Sequence, residues 1–183
     1  MSMKKTLLAL ALSSVSVAAM AQEWRFAPAL TDSKFKFEPT IAATVSTVKP
    51  QGGSSDTAYG LEMIVNCGLI QSPDNRIRTH LSLSRVDESN YDATIFELSP
   101  RYTVPLSNGF SIGVGPSLGA VRVDSAAAGA ATETVFAYGV VAGLNYRAGA
   151  FYAGLDLGVR RTSNDNGVEF DSRGATLKVG FNF

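Results

Sequence analysis

The sequence predicts an all-β chain: an eight-stranded antiparallel up-and-down transmembrane β-barrel. Three observations predict it. Eight segments in series alternate apolar and polar residues, and a period of two places one set of side chains on each face of a strand. The connectors between these segments alternate short and long. The last segment carries an apolar stripe to the final residue: Ala175, Leu177, Val179, Phe181 and Phe183 alternate with Gly174, Thr176, Lys178, Gly180 and Asn182. A strand with lipid on one side and a polar lumen on the other has this pattern.

The N-terminus fits an exported chain. Met1 to Ala21 has a positive start at Lys4 and Lys5, an apolar stretch from Leu7, and the cleavage triplet Ala19-Met20-Ala21. Residues 1–21 read as a cleaved secretory signal peptide, residues 22–34 as a periplasmic lead-in, and residues 35–183 as the barrel. Without the signal the chain carries 14 basic and 16 acidic residues, a net charge of −2. That balance excludes a nucleic-acid partner of the usual basic kind. After the signal no apolar run approaches the ~20 residues of a spanning helix. Lipid leaves only a closed barrel as the alternative. Cys67 is the single cysteine, so no internal disulfide forms; it reads as a structural apolar position.

The strands follow in order. The apolar sets are Phe35, Phe37, Ile41, Ala43 and Val45; then Tyr59 to Leu69; then Ile77, Leu81 and Leu83; then Phe96 to Val104. The second half continues with Phe110 to Ala120, Phe136 to Tyr146, Ala153 to Val159, and the terminal stripe. Tight connectors at Gln71–Asn75, Pro105–Gly109 and Arg147–Ala150 contain the Pro, Asn and Gly that turns require. Longer ones cover 49–57, 87–92, 124–133 and 162–170. An even strand count with both ends in the periplasm gives short periplasmic turns and longer extracellular loops. Aromatics gather at both strand ends. Phe35, Phe37, Tyr102, Phe110, Tyr146, Phe151, Phe181 and Phe183 form the periplasmic girdle, and Tyr59, Phe96, Phe136, Tyr138 and Phe170 the outer one.

On the Ala19-Met20-Ala21 signal, the eight alternating segments and the Leu-Lys-Val-Gly-Phe-Asn-Phe183 terminus, the chain resembles the small eight-stranded outer-membrane barrels of the OmpA, OmpX and NspA type. The resemblance implies location in the outer membrane of a Gram-negative envelope. It also implies that Leu177, Val179, Phe181 and Phe183 act as an assembly signal, read by the barrel-insertion machinery with periplasmic chaperones as partners in transit. Outer-membrane lipid and lipopolysaccharide are the expected lasting partners.

The inward phase holds a predicted lumen charge network: Lys36, Glu38, Glu62, Arg76, Arg78, His80, Glu97, Arg101, Asp156, Arg160 and Lys178. Buried charges need partners. Asp156 is expected to pair with Lys178, and Glu97 to lie near His80 and Arg101. The inward residues of strands five to eight are mostly glycine, so long side chains of one wall have room to cross. In the outward phase, Arg85, Arg122, Arg161 and Arg173 each stand at the outer end of a strand. They predict a collar on the phosphates of lipopolysaccharide.

The site chemistry points away from catalysis. His80 and Ser82 share one strand face, but they face the lumen, and residues two apart on a strand lie about 7 Å apart at the backbone. Asp165 to Glu169 lacks the ligand spacing of a calcium loop. No metal and no cofactor is expected. The function read from sequence is a non-catalytic structural or surface-interaction barrel. A narrow small-solute or ion pore is the alternative, and a lipid-modifying enzyme the weaker one.

Overall fold

A computed structural model describes residues 24–50, 55–88, 91–125, 132–163 and 171–183. Residues 1–21, Phe170 and the Asp165–Glu169 segment lie outside the described residues. Eight long strands close into one antiparallel barrel: β2 (Thr40–Pro50), β3 (Asp56–Asn66), β5 (Ile77–Asp87), β6 (Tyr91–Pro105), β7 (Phe110–Ser125), β8 (Glu133–Ala148), β9 (Phe151–Thr162) and β10 (Ser172–Asn182). Each pairs with its sequence neighbours, and β10 closes on β2 through Leu177 opposite Val45 and Phe181 opposite Ile41. Closure removes the open edges that a sheet otherwise presents.

The alternation does what the sequence predicts. Along β9, Leu155, Leu157 and Val159 face outward and exposed, while Tyr152 and Asp156 are buried. The outward apolar series from Phe151 to Val159 covers about 20 Å of height at ordinary strand rise and barrel tilt, close to the ~25 Å apolar band of lipid-facing barrels. Aromatic contacts lie at both ends of this band. Phe110 and Tyr146 have centroids 4.8 Å apart, and Phe136 and Tyr138 stack at 6.4 Å.

At the loop end the outward series changes character on every strand. It passes to Thr47 and Lys49, Thr57, Arg85, Thr94, Arg122, Thr134, Arg161 or Arg173. The 87–92 connector is shorter than the spacing of alternation suggests. Asp87 pairs directly with Asp92, so only residues 88–90 separate β5 from β6.

Two further departures concern the tight-turn end. The first barrel strand begins at Thr40 rather than Phe35. Glu38 sits at φ 46° immediately before Pro39, so the chain turns there instead of continuing the ladder. The residues before it form a small cap. Strand β1 (Arg25–Phe26) pairs with β4 (Ile70–Gln71), followed by the one-turn helix α1 (Pro28–Thr31). The connector expected at Gln71–Asn75 therefore runs from Cys67 to Arg76. Buried Gln71 organises it: its Oε1 accepts from the Ile77 N–H at 2.8 Å and its amide donates to the Ile77 carbonyl at 2.9 Å. Asn66 donates its backbone N–H to the Phe37 carbonyl, so the lead-in takes over as partner where β3 ends. Cys67 is free and buried.

Candidate functional site

The lumen is filled in layers. They are easiest to follow along β6, whose inward residues from the loop end are Ala93, Ile95, Glu97, Ser99 and Arg101. The first two join Val48, Ala58, Val86, Val121, Val135 and Ala137 in one buried apolar cluster. Below it, Glu97 pairs with Arg160 of β9. A polar cavity of about 80 Å³ lies in this region, among Thr44, Ser46, Ser84 and Thr176.

The central layer is an ionic chain across the barrel. Glu62 of β3 accepts from His80 Nδ1 at 3.0 Å and from Lys178 Nζ at 2.7 Å. Lys178 of β10 also lies 2.7 Å from Asp156 of β9. Arg101 of β6 reaches Asp156 Oδ2 at 2.6 Å, and its Nε donates to Ser99 at 3.1 Å. Two carboxylates thus meet two cations, and every member is buried. Gly143 makes this crossing possible: a Cβ there would lie 2.1 Å from Asp156 Oδ1. Glu62, His80 and Asp156 bring donor atoms within 4.8 Å of one another, the spacing of a cation site. The Lys178 ammonium already bridges the two carboxylates, so the chain supplies its own cation there.

Toward the tight turns, Tyr152 donates to Asn145 Oδ1 at 2.7 Å, and Arg147 lies over the Tyr152 ring at 5.3 Å. Asn182 then receives Thr40 at 2.8 Å and Arg147 Nε at 3.3 Å.

The predicted network is therefore partly reassigned. Asp156 and Lys178 pair as expected. Glu97 forms no ion pair with His80 or Arg101 among the described residues; its partner is Arg160, which reaches it across the lumen from β9. Lys36 and Glu38 are exposed and precede the first barrel strand, so they belong to the cap. Arg76 also falls outside the lumen, in the connector, paired with Asp74. Arg78 stands at the mouth, donating to the Glu38 carbonyl at 3.1 Å.

The outer rim is uneven. Arg85 is bound to Asp92 at 2.8 Å and Arg122 to Asp124 at 3.4 Å. Arg161 and Arg173, with Lys49, have no ion-pair partner among the described residues. Outside the bilayer band, Asp124 also accepts from the Thr132 hydroxyl, which is the main reason its carboxyl is held below the usual range.

No family model and no curated protein matches this sequence. Solved structures do match. Neisserial surface protein A aligns with a TM-score of 0.56 at 16% identity, over 80% of this chain and 95% of its own. The N-terminal barrel domain of Pseudomonas aeruginosa OprF gives 0.55 at 16%, over 81% and 100%. Ail, the attachment invasion locus protein of Yersinia pestis, gives 0.51 at 16%, over 81% and 100%. The chain has the fold of the small eight-stranded outer-membrane barrels.

Within this outer-membrane barrel fold, sequence reasoning missed the apolar cluster and the Tyr152–Asn145–Arg147 group. Their signal was present in the inward phase. Val86, Ala93, Ile95, Val121 and Val135 continue it beyond the outward apolar band, where the contrast inverts: apolar residues point inward and Arg85, Thr94, Arg122 and Thr134 outward. Tyr152 is in phase with Gly154 and Asp156, while Phe151 beside it belongs to the aromatic girdle.

Proposed function

We propose that this chain is a non-conducting barrel of the outer membrane of a Gram-negative envelope, acting through its structure and surface rather than by catalysis. The tight-turn end with its cap faces the periplasm and the long loops face outward. The reading is supported above all by the filled lumen, in which a neutral ionic chain lies beneath an apolar cluster whose members are buried. An ion entering would have to break buried charge pairs, which are costly to break singly, and then cross an apolar seal. His80 sits in that ionic chain against Glu62, away from any lipid substrate, which argues against the lipid-modifying enzyme. On this reading Leu177, Val179, Phe181 and Phe183 present the outward apolar face of β10 to the insertion machinery, with periplasmic chaperones as partners beforehand.

Reconstitution into planar bilayers tests the proposal. The expected record is flat at all applied voltages for protein shown to be folded by its heat-sensitive gel mobility. Reproducible conductance steps would overturn it in favour of the small-ion pore.

A further inference from the structure

Half of the rim has no ion-pair partner among the described residues. Lys49 of β2 and Arg173 of β10 stand directly opposite each other in register. Arg173 is also opposite Val159 of β9, two residues from Arg161 on the same outward face. Three cations thus converge from three adjacent strands. Like charges directly opposite on a sheet repel, and no described acidic residue forms an ion pair with any of the three. The carboxylate in the wall, Asp171, has its Oδ1 occupied by the Thr162 N–H at 2.8 Å. The contrast with Arg85 and Arg122, each held by its own aspartate, is confined to one barrel.

An open groove of about 780 Å³ runs beneath these cations, among Lys49, Arg161 and Arg173 and the apolar side chains of Tyr138, Val140 and Val159. A second, of about 480 Å³, shares Lys49, Arg173, Val140 and Val159 and continues down over Ala142, Leu157 and Ala175. Ala142 and Ala175 flank Leu157 in register on either side. Leu157 stands exposed between them, so the short side chains leave two shallow grooves, one on each side of Leu157, that lead from the basic rim into the apolar band.

We propose that Lys49, Arg161 and Arg173 seat one phosphate-bearing glycolipid of the outer leaflet, a lipopolysaccharide, with its acyl chains in the grooves over Ala142 and Ala175 on either side of Leu157. Guanidinium groups match phosphate oxygens in geometry as well as charge. The phosphate also relieves the repulsion between Lys49 and Arg173. The height of the cations, just past the outward apolar series, is the height of the headgroup layer. The inference rests on the outer-membrane reading, and it replaces a uniform collar of four arginines with a single sided seat.

The test uses the full chain in phosphatidylcholine vesicles doped with either lipopolysaccharide or phosphatidylglycerol, followed by native mass spectrometry of the lipid retained in mild detergent. The unaltered protein and R85Q/R122Q should retain lipopolysaccharide. K49Q/R161Q/R173Q should retain it about tenfold less or worse, as expected for lost charge-assisted contacts. A142L/A175L keeps every cation and fills both grooves, so it should also lose retention. It covers the case in which the triple variant inserts poorly. Unchanged retention in A142L/A175L or in a folded triple variant overturns the seat. Equal loss of phosphatidylglycerol and lipopolysaccharide in the triple variant overturns the assignment to glycolipid, leaving only a general anionic surface. Conductance of the unaltered protein is read in parallel. Steps there would remove the barrel reading, whereas a failed seat in a silent barrel would remove only this inference.

Discussion

The Lys178 ammonium lies 2.7 Å from Asp156 Oδ2, and its side chain is wholly withdrawn from solvent. The same oxygen takes Arg101 at 2.6 Å, while Lys178 turns its other side to Glu62 at 2.7 Å. Removing one member of such a chain leaves an uncompensated buried charge. Lys178→Met is therefore expected to destabilise the barrel by about 3–5 kcal/mol, read as urea unfolding in vesicles. Lys178→Met with Glu62→Gln restores neutrality and should cost less than the sum of the two single changes. Strict additivity would mean that the groups do not interact.

The crossing of Arg101 to Asp156 depends on the bare backbone at Gly143. Gly143→Ala forces a methyl to within 2.1 Å of Asp156 Oδ1, so carboxylate and guanidinium must both shift. The expected cost is about 1–3 kcal/mol, typical of overpacking. Gly158→Ala on β9 is the control, since its nearest neighbour would be the Val141 Cγ2 at 3.3 Å, the end of a side chain. The two variants should separate clearly in the same unfolding assay. Equal losses would show that the room Gly143 leaves for Asp156 is not what sets the cost.

Tyr152 is buried, and its hydroxyl supplies Asn145 Oδ1. Tyr152→Phe keeps the ring under Arg147 and removes only that donor. An acceptor left without a partner in a closed lumen costs about 1–3 kcal/mol. Asn145→Leu in the Tyr152→Phe background removes the orphaned acceptor and should recover part of the loss. No recovery would indicate that Asn145 has found another donor.

How much of this was legible depended on whether contrast or contact carried the signal. The strands were legible because outward Leu155, Leu157 and Val159 contrast with inward Gly154, Asp156 and Gly158, and the period fixes the face. Asp156 and Lys178 could be paired because they lie on neighbouring strands at similar heights. Glu97 and Arg160 could not, since partners across a lumen depend on strand tilt and stagger, which a single strand does not encode. Lys36 and Glu38 misled because alternation ran on through a segment that Pro39 interrupts. The rim was legible as four outward arginines. Asp124 stands two residues from Arg122 on the same face of one strand, but that Asp92 neutralises Arg85 and that Lys49 joins the others followed only from register.

Phe183 supplies the last prediction. Its backbone N–H donates to the Pro39 carbonyl at 2.9 Å and so completes the junction of the last strand with the first, a bond that does not need the ring. The ring points outward and is 75% exposed to whatever surrounds the barrel. Phe183→Ala should therefore change the unfolding free energy of the finished barrel by under about 1 kcal/mol. If the terminal stripe is read during insertion, the same variant should lower the amount of assembled barrel in cells far more than that stability change can explain. The two measurements separate the roles. A fall in assembly matched by an equal fall in stability would make Phe183 an ordinary packing residue of the rim, while lost assembly with intact stability would make it a signal.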